Sequence, residues 1–282
     1  MEDIYIYLFI EKIDFVGDEN KMNFENQLFM ECNINYKMDE YSILENKDKD
    51  MIVQIMNKFN GYNYKNFEEL ENEIKTQGID SKFIVKYGKG VLENNYVYLK
   101  DKIPVKVPYI LMNRTLGEHL SFVHNLIKRG IEKGTRINLF VIPQFLNLDF
   151  FLTNYDKFNL EQKRYMFDYL YQSLETDFDK FTVDIVKECS VLSKEDRETL
   201  QEFCNEDNEL IIYRGINDLS THIENAYSWT LSKKIAQFFA SRLQTGTGRI
   251  LKGKINLDNV IGYKDDGEEE VICLYQDVEL LE

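Results

Sequence analysis

Only four cysteines and three histidines occur in the 282 residues. Cys32, Cys189, Cys204 and Cys273 stand far apart without any C-x-x-C spacing, so neither a disulfide framework nor a structural zinc site is supported. His119 and His124 are five positions apart rather than the four that put two ligands on one helical face, and no metal is expected. Proline is scarce too, with 3 residues; together with 14 glycines and 44% hydrophobic residues this is the composition of a folded protein with one large core or two modest ones. No apolar stretch approaches the roughly 18 to 20 residues that span a bilayer. The start, Met-Glu-Asp followed by the short apolar run from Ile4 to Ile10, lacks the basic residues and the small-residue cleavage site of a signal peptide. A cytoplasmic protein without a membrane partner is expected. Basic residues are also in deficit, 34 against 49 acidic, a formal charge of -15 that repels polyphosphate from most of the surface. General nucleic-acid binding is excluded as a class. A single arginine in a cleft can still hold one phosphate ligand, because the global field is screened within about 8 Å at physiological salt. The 18 tyrosines are scattered, and no basic patch interleaves with them along the chain.

What is present reads in three textures. Residues 4–10 have the β-branched and aromatic composition of a buried strand. Polar pieces near 17–27 and 45–50 read as surface loops. Asn66 with Glu69 predicts a helix over 67–75, and apolar runs around 82–87 and 95–99 predict strands. Pro104 and Pro108 mark a boundary, since each removes a donor and biases its predecessor toward extended geometry. Helices follow. Thr115 with Glu118 forms a capping box ahead of Leu120, Val123, Leu126, Ile127 and Ile131 at helical spacing. Asn159 and Gln162 open another helix with Met166, Leu170 and Leu174 on one stripe, and Ser193 with Asp196 caps a third that ends near Cys204. After residue 208 short strands are expected at 209–216, 226–231, 249–255, 259–262 and 271–275, interrupted by one helix at 233–243. There is no internal repeat.

Three motifs lie in order in this last third. The run Leu210-Ile-Ile-Tyr-Arg214-Gly215-Ile is an apolar strand presenting an arginine beside a glycine. In Tyr227-Ser228-Trp229-Thr230, alternation puts Ser228 and Thr230 on one face and Trp229 on the other. In Gly267-Glu268-Glu269-Glu270-Val271-Ile272 an acidic turn enters an apolar strand, and alternation places Glu268 and Glu270 on the same side. Each motif alone is more often a surface ion pair, a sheet position or a solvated turn.

Their order resembles the R-S-E class of ADP-ribosyltransferases over about the last 75 residues, from Glu209 onward. The helix after the serine, Lys233-Lys-Ile-Ala-Gln-Phe-Phe-Ala-Ser-Arg242, is similar to that family's alanine- and phenylalanine-bearing helix, with Ile235, Phe239 and Leu243 at helical spacing toward the sheet. Two features depart from the family: Ser-Trp-Thr replaces Ser-Thr-Ser, and the interval of 14 from Arg214 to Ser228 is shorter than in the well-known toxins. The resemblance implies an α+β fold, with a helical segment followed by a compact mixed β core and preceded by an N-terminal α+β region. It implies residues 1–110 as a region of unknown role and 111–282 as the transferase-like domain, with helices over 111–207 and an NAD-binding β core over 208–282.

The resemblance also implies roles. Cleaving nicotinamide from ribose builds positive charge on the sugar, as in glycoside hydrolysis. Glu270 would stabilise that charge and Ser228 would steady the ribose or Glu270. Arg214, with Gly215 beside it, would hold the dinucleotide phosphates, and Thr230 would support them. Glu268 would act on the acceptor, because a protonated guanidinium needs a base or strong acceptor before it can attack. The expected function is mono-ADP-ribosyl transfer from NAD to a macromolecular acceptor, a protein arginine favoured, in a toxin-like effector or a phage–host conflict protein. NAD glycohydrolysis on the same site is one alternative. A catalytically silent fold that binds a partner or a nucleotide is the other, and in either case residues 1–110 are where an inhibitory or target protein would bind.

Overall fold

The computed structural model describes residues 41–87, 95–108, 111, 114–173, 180–218, 220–242, 248–265 and 267–281. The strand expected at 4–10 and Cys32 lie outside them. The fold is α+β, with eight α-helices and two antiparallel sheets among the described residues. It forms two compact units that divide between Gln162 and Lys163.

In the first unit, β1 (Tyr41–Ile43), β2 (Ile84–Tyr87), β3 (Asn95–Lys100) and β4 (Ile103–Lys106) form an antiparallel sheet in the order β1-β2-β3-β4. Helix α1 (Asn46–Asn60) begins within the segment expected to be a polar loop. Its polar start is a cap: Glu45 and Asp48 bond each other's backbone, and the buried residues Ile52, Val53, Ile55 and Met56 follow. Helix α2 (Phe67–Thr76) starts as expected, with the Asn66 side chain accepting from the Glu69 amide at 3.1 Å. Helix α3 (Leu116–Lys133) carries the complete Thr115–Glu118 capping box and ends at Gly134 in the left-handed region. Its face of Leu116, Leu120, Val123 and Ile127 is buried, while Leu126 is exposed. Helix α4 (Asn147–Asn154) completes the set.

Two expectations change here. Pro104 is no boundary: it sits inside β4 opposite Leu99, on an edge strand where a missing donor breaks no second ladder. The helices over 116–154 also fold with the N-terminal sheet, because α3 packs on β4 and on α2. Gly117 permits that crossing, since a Cβ there would lie 2.8 Å from the Ile74 Cα.

The second unit takes in most of α5 (Leu160–Ser173), then α6 (Val183–Cys189) and α7 (Lys194–Gln201). Its sheet contains β5 (Glu209–Ile216), β6 (Ser228–Thr230), β7 (Arg249–Asn256), β8 (Gly262–Lys264), β9 (Glu270–Ile272) and β10 (Glu279–Leu281). The strand order is β10-β7-β5-β6-β9-β8. Every pairing among the described residues is antiparallel, so the sheet is not the mixed one expected. Leu210, Ile212, Trp229, Ile255 and Val271 share one buried cluster, which makes Trp229 core. Burying each such side chain contributes about 1.5–3 kcal/mol.

Helix α8 (Lys233–Ser241) turns a different face to the sheet from the one its larger residues suggest. Ala236 and Ala240 are buried, Ile235 and Phe239 are half-buried and Phe238 is 61% exposed. The cause is backbone proximity. A Cβ on Gly215 would stand 1.9 Å from the Ala236 carbonyl oxygen, and one on Gly248 would stand 2.0 Å from that of Ala240. Large side chains do not fit such a contact.

Candidate functional site

Arg214, Ser228 and Glu270 reach the second unit's sheet on three different strands, and helix α5 adds a fourth group, Tyr171. The Tyr171 phenol lies 2.9 Å from Glu270 Oε1 and donates to it. The Ser228 side chain faces the same phenol and favours its ionised form, against the burial that raises its pKa. Arg214 Nη1 donates to the Ser228 carbonyl oxygen. Thus residues up to 99 positions apart form one connected cluster.

Strand register explains part of this meeting. Thr230 pairs with Glu270 and Ser228 with Ile272, so Ser228, Thr230 and Glu270 share a face opposite to Trp229 and Val271. Packing supplies the rest. Phe167, one helical turn before Tyr171, packs edge-to-face at a 5.0 Å centroid distance on Phe181, whose carbonyl accepts from the Tyr227 hydroxyl at 2.9 Å. These contacts hold the face of α5 that carries Tyr171.

Glu270 is only 8% exposed. Its cross-strand neighbour Lys264 does not pair with it: the ammonium bonds Asp168 at 2.6 Å and lies 4.8 Å from the Tyr171 ring centroid. Arg214 is partly buried and forms no ion pair among the described residues, and its buried Nε finds no hydrogen-bond partner there. Burial lowers the Arg214 pKa, against the opposing pull of Tyr171 and Glu270. Burial, followed by the Glu270 charge, raises Tyr171 well above the ordinary phenol value, so at neutral pH it is a donor. Burial also pushes the Cys273 thiol up, which removes it as a nucleophile.

The remaining expected residues are placed as follows. Gly215 lies under α8, where its missing side chain serves helix packing. Thr230 Oγ1 donates to the Glu268 carbonyl oxygen at 2.6 Å and accepts from the Ser232 amide at 3.0 Å, so it pins the acidic turn. Glu268 is exposed whereas Glu270 is buried. The alternation expected to align them is broken, because Gly267 and Glu269 take positive φ of 94° and 49° and β9 begins only at Glu270. Of the other side chains near these strands, His222 is exposed beside Glu224. His124 is buried, bonded to the Lys100 carbonyl and held below its ordinary pKa by burial.

Tyr171 is the residue that sequence reasoning missed. It follows Leu170 on the expected stripe, but nothing local separates it from the other tyrosines. Among the described residues no group of three or more His, Cys, Asp or Glu is placed to hold a metal, and no helix is long and apolar enough to cross a membrane.

The chain matches no protein-family model, no curated protein and no solved structure.

Proposed function

We propose that the chain is an NAD-dependent mono-ADP-ribosyltransferase acting on a macromolecular acceptor, an arginine side chain favoured, as a toxin-like effector or in phage–host conflict. One observation carries this reading. A partly buried arginine, with an orphaned donor and no ion pair among the described residues, stands near a buried glutamate that accepts from a tyrosine. A buried guanidinium without an anion is costly, and a phosphate is the anion its planar fork fits best.

Arg214 would bind the dinucleotide phosphates. Glu270 would face the ribose as nicotinamide leaves, with its carboxylate fixed in advance by Tyr171 so that no reorganisation is needed when charge develops. Ser228 would orient the ribose hydroxyls, and Thr230 would hold the turn that presents Glu268 to the acceptor. The exposure of Glu268 suits a group that meets a macromolecule from outside. Its difference in burial from Glu270 favours the second reading, NAD glycohydrolysis with water as acceptor.

The test is incubation of the protein with NAD and a cell lysate, following nicotinamide release and a mass increment on macromolecules. Release with an adduct, both lost in Glu270→Gln, is expected. Release without an adduct leaves glycohydrolysis. No release in any lysate overturns both and leaves a binding module.

A further inference from the structure

On the sheet of the second unit, a groove of about 1040 Å³ is lined by Tyr213, Lys233, Gln237, Arg249, Lys252 and Leu281, among others. Neither Arg214 nor Glu270 lines it. Its three cations are exposed, and none forms an ion pair or hydrogen bond with another described residue. That is unusual in a chain with 49 acidic residues against 34 basic ones.

The contrast within β7 is direct. Lys254 bonds Glu209 at 3.0 Å and Glu279 at 3.2 Å. Lys252, two residues earlier and on the same face, is instead flanked by Tyr213 on β5 and Leu281 on β10. An aromatic residue therefore lies directly opposite a cation that has no partner among the described residues. Lys233 adds to the field, because it opens α8, whose first turn contains no acid. The first turns of α1 to α7 all carry one. Unlike charge at a helix start is favourable and like charge is not.

We propose that this groove binds a phosphorylated nucleotide, with the base against Tyr213 and the phosphates among Lys233, Arg249 and Lys252. Cationic side chains beside an aromatic ring are the pairing by which proteins hold nucleotides outside a duplex: the ring stacks on the base and the cations meet the phosphates. Sequence reading finds no such patch because its members come from three elements. The groove shares a sheet row with the acidic site, from Lys252 through Tyr213 and Thr230 to Glu270. Three strand spacings of about 4.8 Å separate the two ends of that row, so the groove is a second site beyond the proposed NAD chemistry.

The test is calorimetric titration of the full chain with ADP and, separately, with a 5′-phosphorylated tetranucleotide. Saturable ADP binding is expected, weakened roughly tenfold or more by Lys252→Glu and by Arg249→Glu, lowered by added salt, and unchanged by Lys234→Glu, which lies outside the groove lining. All three positions are exposed, so the variants keep the fold, which circular dichroism verifies. ADP binding alone identifies a free nucleotide as the ligand, whereas binding of both probes identifies a strand end. ADP binding that survives both groove reversals but is lost in Arg214→Ala overturns the proposal. So does no ADP binding with capture of a glutamate-rich peptide. Because binding is read without turnover, a failure here is distinct from a failure to cleave NAD.

Discussion

Each unit of the molecule buries one carboxylate beside a tyrosine and a cation, and the two centres are wired differently. In the first unit Asp48 is 3% exposed, bonds Lys86 at 3.1 Å and Tyr96 at 3.3 Å, and accepts from the Glu45 amide at 3.1 Å. Its ion pair is closed and its remaining oxygen caps α1. In the second unit Glu270 accepts from Tyr171, while Arg214 makes no ion pair among the described residues and bonds a carbonyl. A closed pair has nothing left for a ligand. Arg214, whose buried Nε has no hydrogen-bond partner among the described residues, keeps a donor for an anionic ligand. The difference separates a closed structural pair from the centre to which the proposal assigns the chemistry.

Substitutions can break that contrast, and the largest expected effect is on rate. Glu270→Gln retains the acceptor for Tyr171, so nicotinamide release should fall by about 10²–10³-fold or more while unfolding stability moves by less than about 1 kcal/mol. Asp48→Ala should do the reverse. Breaking a buried pair costs about 3–5 kcal/mol, with the lower end expected here because Lys86 reaches solvent, and denaturant titration should register the loss with turnover per folded molecule unchanged.

Arg214→Met tests the orphaned guanidinium. Removing an unpaired, partly buried charge should leave stability within about 1 kcal/mol of the parent or raise it, while the KM for NAD rises sharply. A large loss of stability would mean that Arg214 is a structural group like Lys86.

The smallest effects are in pH dependence. The Tyr171 phenol donates to Glu270 in a buried site. The phenol itself has a folded pKa above its ordinary 10.0. Unfolded chains release that proton first, so its contribution is fully present below about pH 10 and is lost as pH rises toward the folded value. Tyr64, pushed up to about 12 chiefly by burial, acts in the same direction. Thermal melts above pH 10 should decline less steeply in Tyr171→Phe than in the parent.

Much of the local architecture was legible because its causes are local. Caps at Asn66, Thr115, Asn159 and Ser193 each appear as side-chain bonds to the backbone three residues on, and β5 spans the residues its apolar run predicts. The readings that changed depended on partners distant in sequence. Pro104 becomes tolerable only on an edge strand, and the small face of α8 is chosen by Gly215 and Gly248. The alternation from Glu268 to Glu270 depends on a backbone turn that composition does not reveal. At the candidate site, Arg214, Ser228 and Glu270 were legible as an ordered set. Tyr171 was not, because its role arises from α5 packing on a sheet formed some 40 residues later. The cations of the groove escaped notice for the same reason, and the charge of -15 concealed them.

The central claim is that Glu270 is a working carboxylate. The most direct measurement is nicotinamide release from NAD by the purified chain, compared between the parent and Glu270→Gln at matched unfolding midpoints. Release by the parent that falls at least 10²-fold in the variant is the expected result. Equal release by both proteins, or none by the parent with acceptor proteins supplied, would contradict the account.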